Sequence, residues 1–62
     1  MQVQFRQDGP WHTFNDSDGG GVIREHDGFC IISTRWGLNK VDTLEEAKRT
    51  VQEWENEYFP QA

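Results

Sequence analysis

The sequence predicts a small α+β domain: an antiparallel sheet of three strands, or four, with one C-terminal helix packed on one face. Two observations predict this fold. An Asp27-Gly28 pair separates two β-rich segments, and a helical spacing of apolar residues begins at Leu44, directly after a capping motif. At 62 residues the chain is expected to form a single domain over residues 1–62, because it is too short to build two cores.

The N-terminal part predicts one strand, one undecided segment and one loop. Polar and apolar residues alternate at the start of the chain, with Val3 and Phe5 on one side, which is the period of a half-buried strand. Trp11 and Phe14 follow a break in the pattern and belong either to a short strand or to a segment that covers the sheet. The glycine-rich residues 16–21 are predicted to form a loop.

A β-hairpin is predicted around Asp27-Gly28, since this pair between two β-rich runs is a strong turn signal. A two-residue turn places Ile23 opposite Ile32 and sorts the side chains onto two faces. One face carries Ile23, Glu25, Cys30, Ile32 and Thr34, and the other carries Val22, Arg24, His26, Phe29, Ile31, Ser33 and Arg35. Both faces hold large apolar groups, and a single helix can cover only one of them.

The C-terminal part predicts a bend followed by a helix. Residues 36–41 are expected to bend and to leave the hairpin as a short extended piece. Thr43 and Glu46 form a capping box that opens a helix, and Pro60 ends it. The apolar stripe of this helix is Leu44, Ala47, Val51, Trp54 and Tyr58, with Trp54 expected mid-stripe against Ile23 and Ile32.

The second hairpin face is the predicted contact surface. Either Trp11 and Phe14 cover it within the monomer, or it is exposed and binds a partner, because interfaces select aromatic and arginine-rich patches. Its candidate partner-binding residues are Val22, Arg24, His26, Phe29, Ile31 and Arg35. A homodimer is one form that such a contact would take.

The charge of the chain favours a protein partner with a basic surface over nucleic acid. Six Lys and Arg stand against eleven Asp and Glu, which gives a net charge of -5. Glu53, Glu55 and Glu57 make the end of the helix acidic, although negative charge there opposes the helix dipole. We expect an acidic ridge in which Glu53 and Glu57 bind a partner; the alternative is that these carboxylates serve only solubility.

The sequence predicts no catalytic residue, no cofactor and no metal site. The hairpin puts Cys30 and His26 on opposite faces, so the two cannot share a proton, and Cys30 is expected to be a small buried hydrophobe. One cysteine and two histidines do not supply the spacing of a zinc site. Asp16 and Asp18 are spaced like the start of a calcium loop, but the later carboxylate of such a loop falls in the hairpin turn.

Location is predicted from absences in the sequence. A single cysteine rules out an internal disulfide and favours a reducing compartment. The chain begins without a signal-like segment and holds no apolar run of membrane length. We expect a cytoplasmic protein with no membrane contact.

The strand-to-helix junction resembles that of a DNA-binding domain. Residues 41–48, VDTLEEAK, follow the predicted sheet as in the N-terminal domain of some tyrosine integrases, which reads the major groove with its exposed sheet face. This resemblance implies Arg24 and Arg35, beside Phe29, as the reading residues. That family is basic, whereas this chain carries a net charge of -5.

In length and composition the chain is similar to the small inhibitors that phages direct at host proteins, anti-CRISPR proteins among them. It shares their short length, acidic charge and low cysteine content. The resemblance implies a non-enzymatic protein-binding module that inhibits a host nucleic-acid-binding complex through the acidic ridge and the exposed sheet face. Sheet-face DNA binding is the alternative, and a homodimeric structural domain is a further one.

Overall fold

The computed structural model describes residues 1–60 and has an α+β fold, a five-stranded antiparallel sheet followed by one helix. The elements are β1 (Gln4–Asp8), β2 (Trp11–Asn15), β3 (Gly21–His26), β4 (Phe29–Thr34), β5 (Gly37–Val41) and α1 (Leu44–Tyr58). The strand order in the sheet is the order in the chain, so each strand pairs with the next one. The helix packs on one side of β3, β4 and β5.

The predicted number of three or four strands is wrong, because both uncertain segments join the sheet. The aromatic segment is β2, in which Phe14 lies opposite Phe5 of β1. The predicted bend and extended exit become β5, in which Leu38 lies opposite Ser33. β5 lacks the alternation that marks a strand because it is an edge strand with mostly exposed side chains, and backbone pairing with β4 stabilises it.

The predicted hairpin is confirmed as β3 and β4, with Ile23 opposite Ile32 and His26 opposite Phe29. A two-residue Asp-Gly turn is expected to have a positive φ at both residues, but only one of them has it here. Gly28 has a positive φ of 86°, whereas no residue other than glycine has a positive φ within residues 1–60. The glycine alone therefore provides the left-handed conformation, and the register is the expected one.

The core lies between the sheet and α1. Ile23, Ile32, Ala47 and Val51 have no exposed surface. Cys30 is buried beside them, as predicted. Val3 and Phe14 complete the core, in which close packing of a few apolar side chains stabilises so short a chain.

The start of the helix agrees with the predicted capping box. The hydroxyl of Thr43 accepts a hydrogen bond from the backbone N–H of Glu46 at 3.0 Å. The Glu46 carboxylate accepts one from the N–H of Asp42 at 3.3 Å. Both bonds satisfy amides that have no partner inside the helix, so they determine where α1 begins.

The predicted stripe of the helix is right as far as Trp54 and wrong at its end. Leu44 and Trp54 are half-buried against the core, whereas Tyr58 is 67% exposed. Glu55 instead occupies the buried position that follows Val51 by one helical turn. A carboxylate is tolerated there because Ser17 donates two hydrogen bonds to it.

Trp11 and Phe14 do not both cover the second sheet face. Phe14 points to the helix side and is buried in the core, where its ring centroid lies 5.7 Å from that of Phe5. Trp11 lies on the opposite side of the sheet, next to Arg24, and is 41% exposed. One ring at one end of the sheet leaves most of that face uncovered.

The packing predicts an unequal response of two neighbouring isoleucines. Ile32→Val should lower the free energy of unfolding by about 0.5–1.5 kcal/mol, because it removes a methylene from the core. Ile31→Val makes the same change one residue earlier, on the uncovered face, and should cost less than about 0.5 kcal/mol. Urea denaturation followed by circular dichroism measures both. Equal losses in the free energy of unfolding for the two variants would mean that both faces of the sheet are packed.

Candidate functional site

The candidate site is the side of the sheet that α1 does not cover, which we call the open face. Its residues follow from the strand register, since side chains alternate between the two sides of each strand. Its apolar, aromatic and charged residues are Arg6, Asp8, Trp11, Val22, Arg24, His26, Phe29, Ile31, Leu38 and Lys40, with Thr13 and Ser33 among the polar ones. Leu38 is 72% exposed and Trp11 is 41% exposed, so large apolar groups of this face meet solvent.

Cationic side chains lie over aromatic rings at two places on the open face. The guanidinium carbon of Arg24 lies 4.5 Å from the ring centroid of Trp11, directly across from it on the neighbouring strand. The ammonium of Lys40 lies 4.8 Å from the ring centroid of Phe29. The other neighbour of Phe29 is His26, whose ring stacks on it at 4.7 Å. These contacts hold the rings and cations in fixed positions on the surface.

Arg24 is the most constrained cation of this face. Its Nε atom is buried and makes no hydrogen bond among residues 1–60. Stacking on Trp11, rather than hydrogen bonding through Nε, therefore orients the guanidinium. The pair spans β2 and β3.

The open face is more basic than the protein as a whole. Three of the six Lys and Arg residues lie on it, namely Arg6, Arg24 and Lys40, against one carboxylate, Asp8. The helix, on the opposite side of the sheet, carries five Glu residues against two cations, Lys48 and Arg49. The charge of the domain is therefore distributed unevenly between its two sides.

The structure brings together five of the residues predicted as partner-binding: Val22, Arg24, His26, Phe29 and Ile31 all lie on the open face. Arg35 does not join them. It lies in the turn between β4 and β5, where its guanidinium is 5.6 Å from the ring centroid of Trp36 and 3.5 Å from the Asp18 carboxylate. Five of the apolar, aromatic and charged residues of the open face were not among the predicted partner-binding residues, because only the pairing of β1, β2 and β5 places them here: Arg6, Asp8, Trp11, Leu38 and Lys40.

Glu53 and Glu57, the other predicted partner-binding residues, lie far from the open face. Both are exposed on the side of α1 that is turned away from the sheet, since the buried line of the helix runs through Ala47 and Val51. The Glu53 carboxylate lies 4.0 Å from the guanidinium of Arg49, one turn earlier. A partner that covers the open face cannot contact these carboxylates at the same time.

Glu55 is not part of an exposed ridge. Its side chain is buried and accepts hydrogen bonds from the backbone N–H of Ser17 at 2.8 Å and from the Ser17 hydroxyl at 2.6 Å. These two bonds, led by the one from the hydroxyl, lower the pKa of the Glu55 carboxyl below its usual value. Glu55 therefore fastens the loop between β2 and β3 to the end of the helix.

The chemistry of Cys30 is that of a core residue. Burial, followed by the charge of the neighbouring Glu25, raises the pKa of the Cys30 thiol, so the nucleophilic thiolate is disfavoured. His26 lies on the open face, across the sheet, as predicted. A pair that the sequence did not predict lies on the helix side, where the buried ring of His12 bonds to the Glu25 carboxylate. The β2–β3 register is the signal that places these two together.

The acidic residue Asp16, in the loop between β2 and β3, bonds to the backbone of its own loop. The Asp16 carboxylate accepts hydrogen bonds from the backbone N–H groups of Asp18 and Gly20, at 2.9 and 2.8 Å. Within residues 1–60, no three His, Cys, Asp or Glu side chains cluster in a way that could hold a metal ion. In the same part of the chain, no helix has the length and apolar character needed to cross a membrane.

Comparison of the chain with protein families, with curated proteins and with solved structures finds no significant match.

The Glu55 anchor predicts a stability that depends on pH. A carboxyl whose pKa falls on folding adds stability that is present above its unfolded value, near 4.5, and is lost as the pH falls through the folded value. Glu55→Gln should therefore lower Tm at neutral pH, and the difference from the parent protein should narrow below about pH 4.5. Thermal melts of both proteins from neutral pH to below about pH 4.5 measure this difference in Tm.

Glu53→Gln is the matched control, since Glu53 lies on the same helix with its side chain 68% exposed. It should change Tm little, with no comparable dependence on pH. A difference for Glu55→Gln that stays constant into strong acid would show that the carboxylate does not hold the loop in its charged form.

Proposed function

We propose that the chain is a non-enzymatic binding module that contacts a protein partner through the open face. The observation that carries this proposal is an uncovered sheet face on which Trp11, Phe29 and Leu38 meet solvent beside Arg24 and Lys40. Tryptophan and arginine are among the residues most enriched at the energetic anchors of protein interfaces. Their fixed geometry means that little side-chain entropy is lost when a partner docks.

The charges of the open face favour a particular kind of partner patch. Arg6 and Lys40 lie on the two edge strands, and Arg24 lies at the centre, directly opposite Ile31 and two residues from Val22. A complementary patch would place apolar side chains opposite Val22 and Ile31 and carboxylates opposite the three cations. Glu53 and Glu57, on the far side of the helix, do not contact this partner and attract its basic surface only at long range during approach.

The most specific form of the proposal is a small phage-type inhibitor that occupies a surface of a host nucleic-acid-binding complex. Such an inhibitor would resemble anti-CRISPR proteins in length and composition. Support for this form comes from the short, acidic, cysteine-poor chain together with a binding face and no catalytic arrangement of Cys30. An inhibitor of this kind acts by covering a surface, so it needs affinity and no chemistry of its own.

Phe29→Ser should abolish partner capture while leaving the protein folded, because it removes an anchor from the open face and nothing from the core. Tagged protein is used to capture partners from host lysate, with quantitative mass spectrometry of what is retained. We expect one complex to be captured by the parent protein and to be absent with the variant. Sedimentation of the parent alone tests the homodimer, in which the second copy is the occupant.

Two further variants keep this experiment decisive. Leu38→Glu alters a side chain that is 72% exposed, so it cannot disturb the core, and it should also abolish capture. Glu53→Gln combined with Glu57→Gln is the matched control on the far side of the helix; it should retain capture, with slower association and a weaker salt dependence. Equal capture by all variants would exclude the open face as the contact surface.

DNA binding through the same face is the second candidate function, and the concentration of basic residues on the open face favours it. Arg6, Arg24 and Lys40 lie on one side of a net acidic domain, next to exposed rings. A sheet that presents cations and aromatic side chains matches the requirements of phosphate binding and base recognition. The resemblance of residues 41–48 to the integrase domain supports the same reading residue, Arg24.

DNA binding predicts a steep dependence of affinity on salt. Each cation that neutralises a phosphate adds about 0.9 to the slope of log affinity against log salt, so Arg24→Gln should flatten that slope by about one unit. Arg49→Gln, which removes a cation from the helix, is the matched control and should leave the slope unchanged. Fluorescence anisotropy with labelled duplex DNA measures both. An affinity for DNA that is undetectable at low salt would exclude this candidate.

A further inference from the structure

A second surface lies on the helix side of the domain, away from the open face. It is a groove of about 560 Å³, bounded by the end of α1, the loop between β2 and β3, and the turn between β4 and β5. Its aromatic walls are formed by Trp36, Trp54, Tyr58 and Phe59. The volume falls within the range of ligand pockets, about 300–1,000 Å³. Four large rings around one groove are a concentrated apolar surface in so polar a chain.

The groove also carries fixed negative charge. Asp16, Asp18 and Glu55 line it, and hydrogen bonds hold each carboxylate in place. The carbonyl end of α1 contributes further negative potential at Tyr58 and Phe59, since the last turn of the helix contains no basic residue. Rings and carboxylates together favour an organic cation as the occupant.

The turn between β4 and β5 shows how a guanidinium is held at this place. Arg35 lies over the ring of Trp36, with its guanidinium carbon 5.6 Å from the ring centroid and one nitrogen 3.5 Å from the Asp18 carboxylate. The indole N–H of Trp36 donates to the same carboxylate, so the ring and the charge are held as a unit. Trp36 is still 80% exposed, which leaves ring surface for a second cation.

We propose that this groove binds an arginine side chain presented by a basic peptide segment of a partner protein. The flat guanidinium stacks on Trp36 and donates to the carboxylate edge of the groove. A planar donor matches this combination better than a lysine ammonium, which is compact and strongly hydrated. The proposal concerns a surface separate from the open face, so it stands or falls independently of the proposed function.

The test uses the full chain and the indole N–H signals of its three tryptophans in nitrogen-15 NMR. The probe is a blocked pentapeptide with two arginines between alanines. Signals of Trp36 and Trp54 should shift saturably, while that of Trp11, on the open face, should not move. The same peptide with citrulline, which has the shape of arginine without its charge, should produce no saturable shift.

Variants separate ring stacking from general attraction to an acidic protein. Trp36→Ala keeps every charge and should weaken binding by at least about threefold. Leu38→Ala, a change of similar exposure on the open face, should leave the affinity unchanged. Equal binding of the citrulline peptide or of a lysine peptide would overturn the proposal, as would shifts confined to Trp11 or no shifts at millimolar peptide.

Discussion

The packing of Ile23 against Ile32 under α1 determines the rest of the structure. The two residues lie directly opposite each other on β3 and β4, and neither has exposed surface. Because side chains alternate along a strand, this pair decides which side every other residue of the hairpin occupies. A slip of one residue would bring Arg24 and Ile31 under the helix, where a charged guanidinium without a carboxylate is strongly disfavoured. The composition of the open face thus follows from one buried contact.

The sequence predicts the hairpin and the start of the helix because their signals are local. Asp27-Gly28 sets a register that the structure confirms, and Thr43 with Glu46 caps α1 where expected. The sequence does not predict β5, because this edge strand is stabilised by backbone pairing with β4. Backbone pairing does not require particular residue types, so no sequence pattern marks the strand. Neighbouring strands also decide where its side chains lie, so Lys40 could not be assigned to the open face.

The second half of the helix shows a different limit of sequence patterns. Apolar spacing favours Tyr58 as a buried residue, but the structure exposes Tyr58 and buries Glu55. The determining factor is Ser17, which lies 38 residues earlier in the chain and satisfies the carboxylate with two hydrogen bonds. The hydrophobic pattern of a helix carries no information about a hydrogen-bond partner in another part of the chain. The same misassignment concealed one wall of the groove, which the exposed Tyr58 forms.

The order of the strands has a consequence for how this domain folds. Every strand pairs with its neighbour in the chain, so the sheet assembles from contacts that are close in sequence, which is the arrangement associated with rapid folding. The contacts of longest range join the two ends of the chain. Gln52 accepts a hydrogen bond from the N–H of Val3 and donates one to the carbonyl of Met1, across 49 and 51 residues. We expect the sheet to form first and the two ends to close last, so local opening begins where the first residues meet the helix.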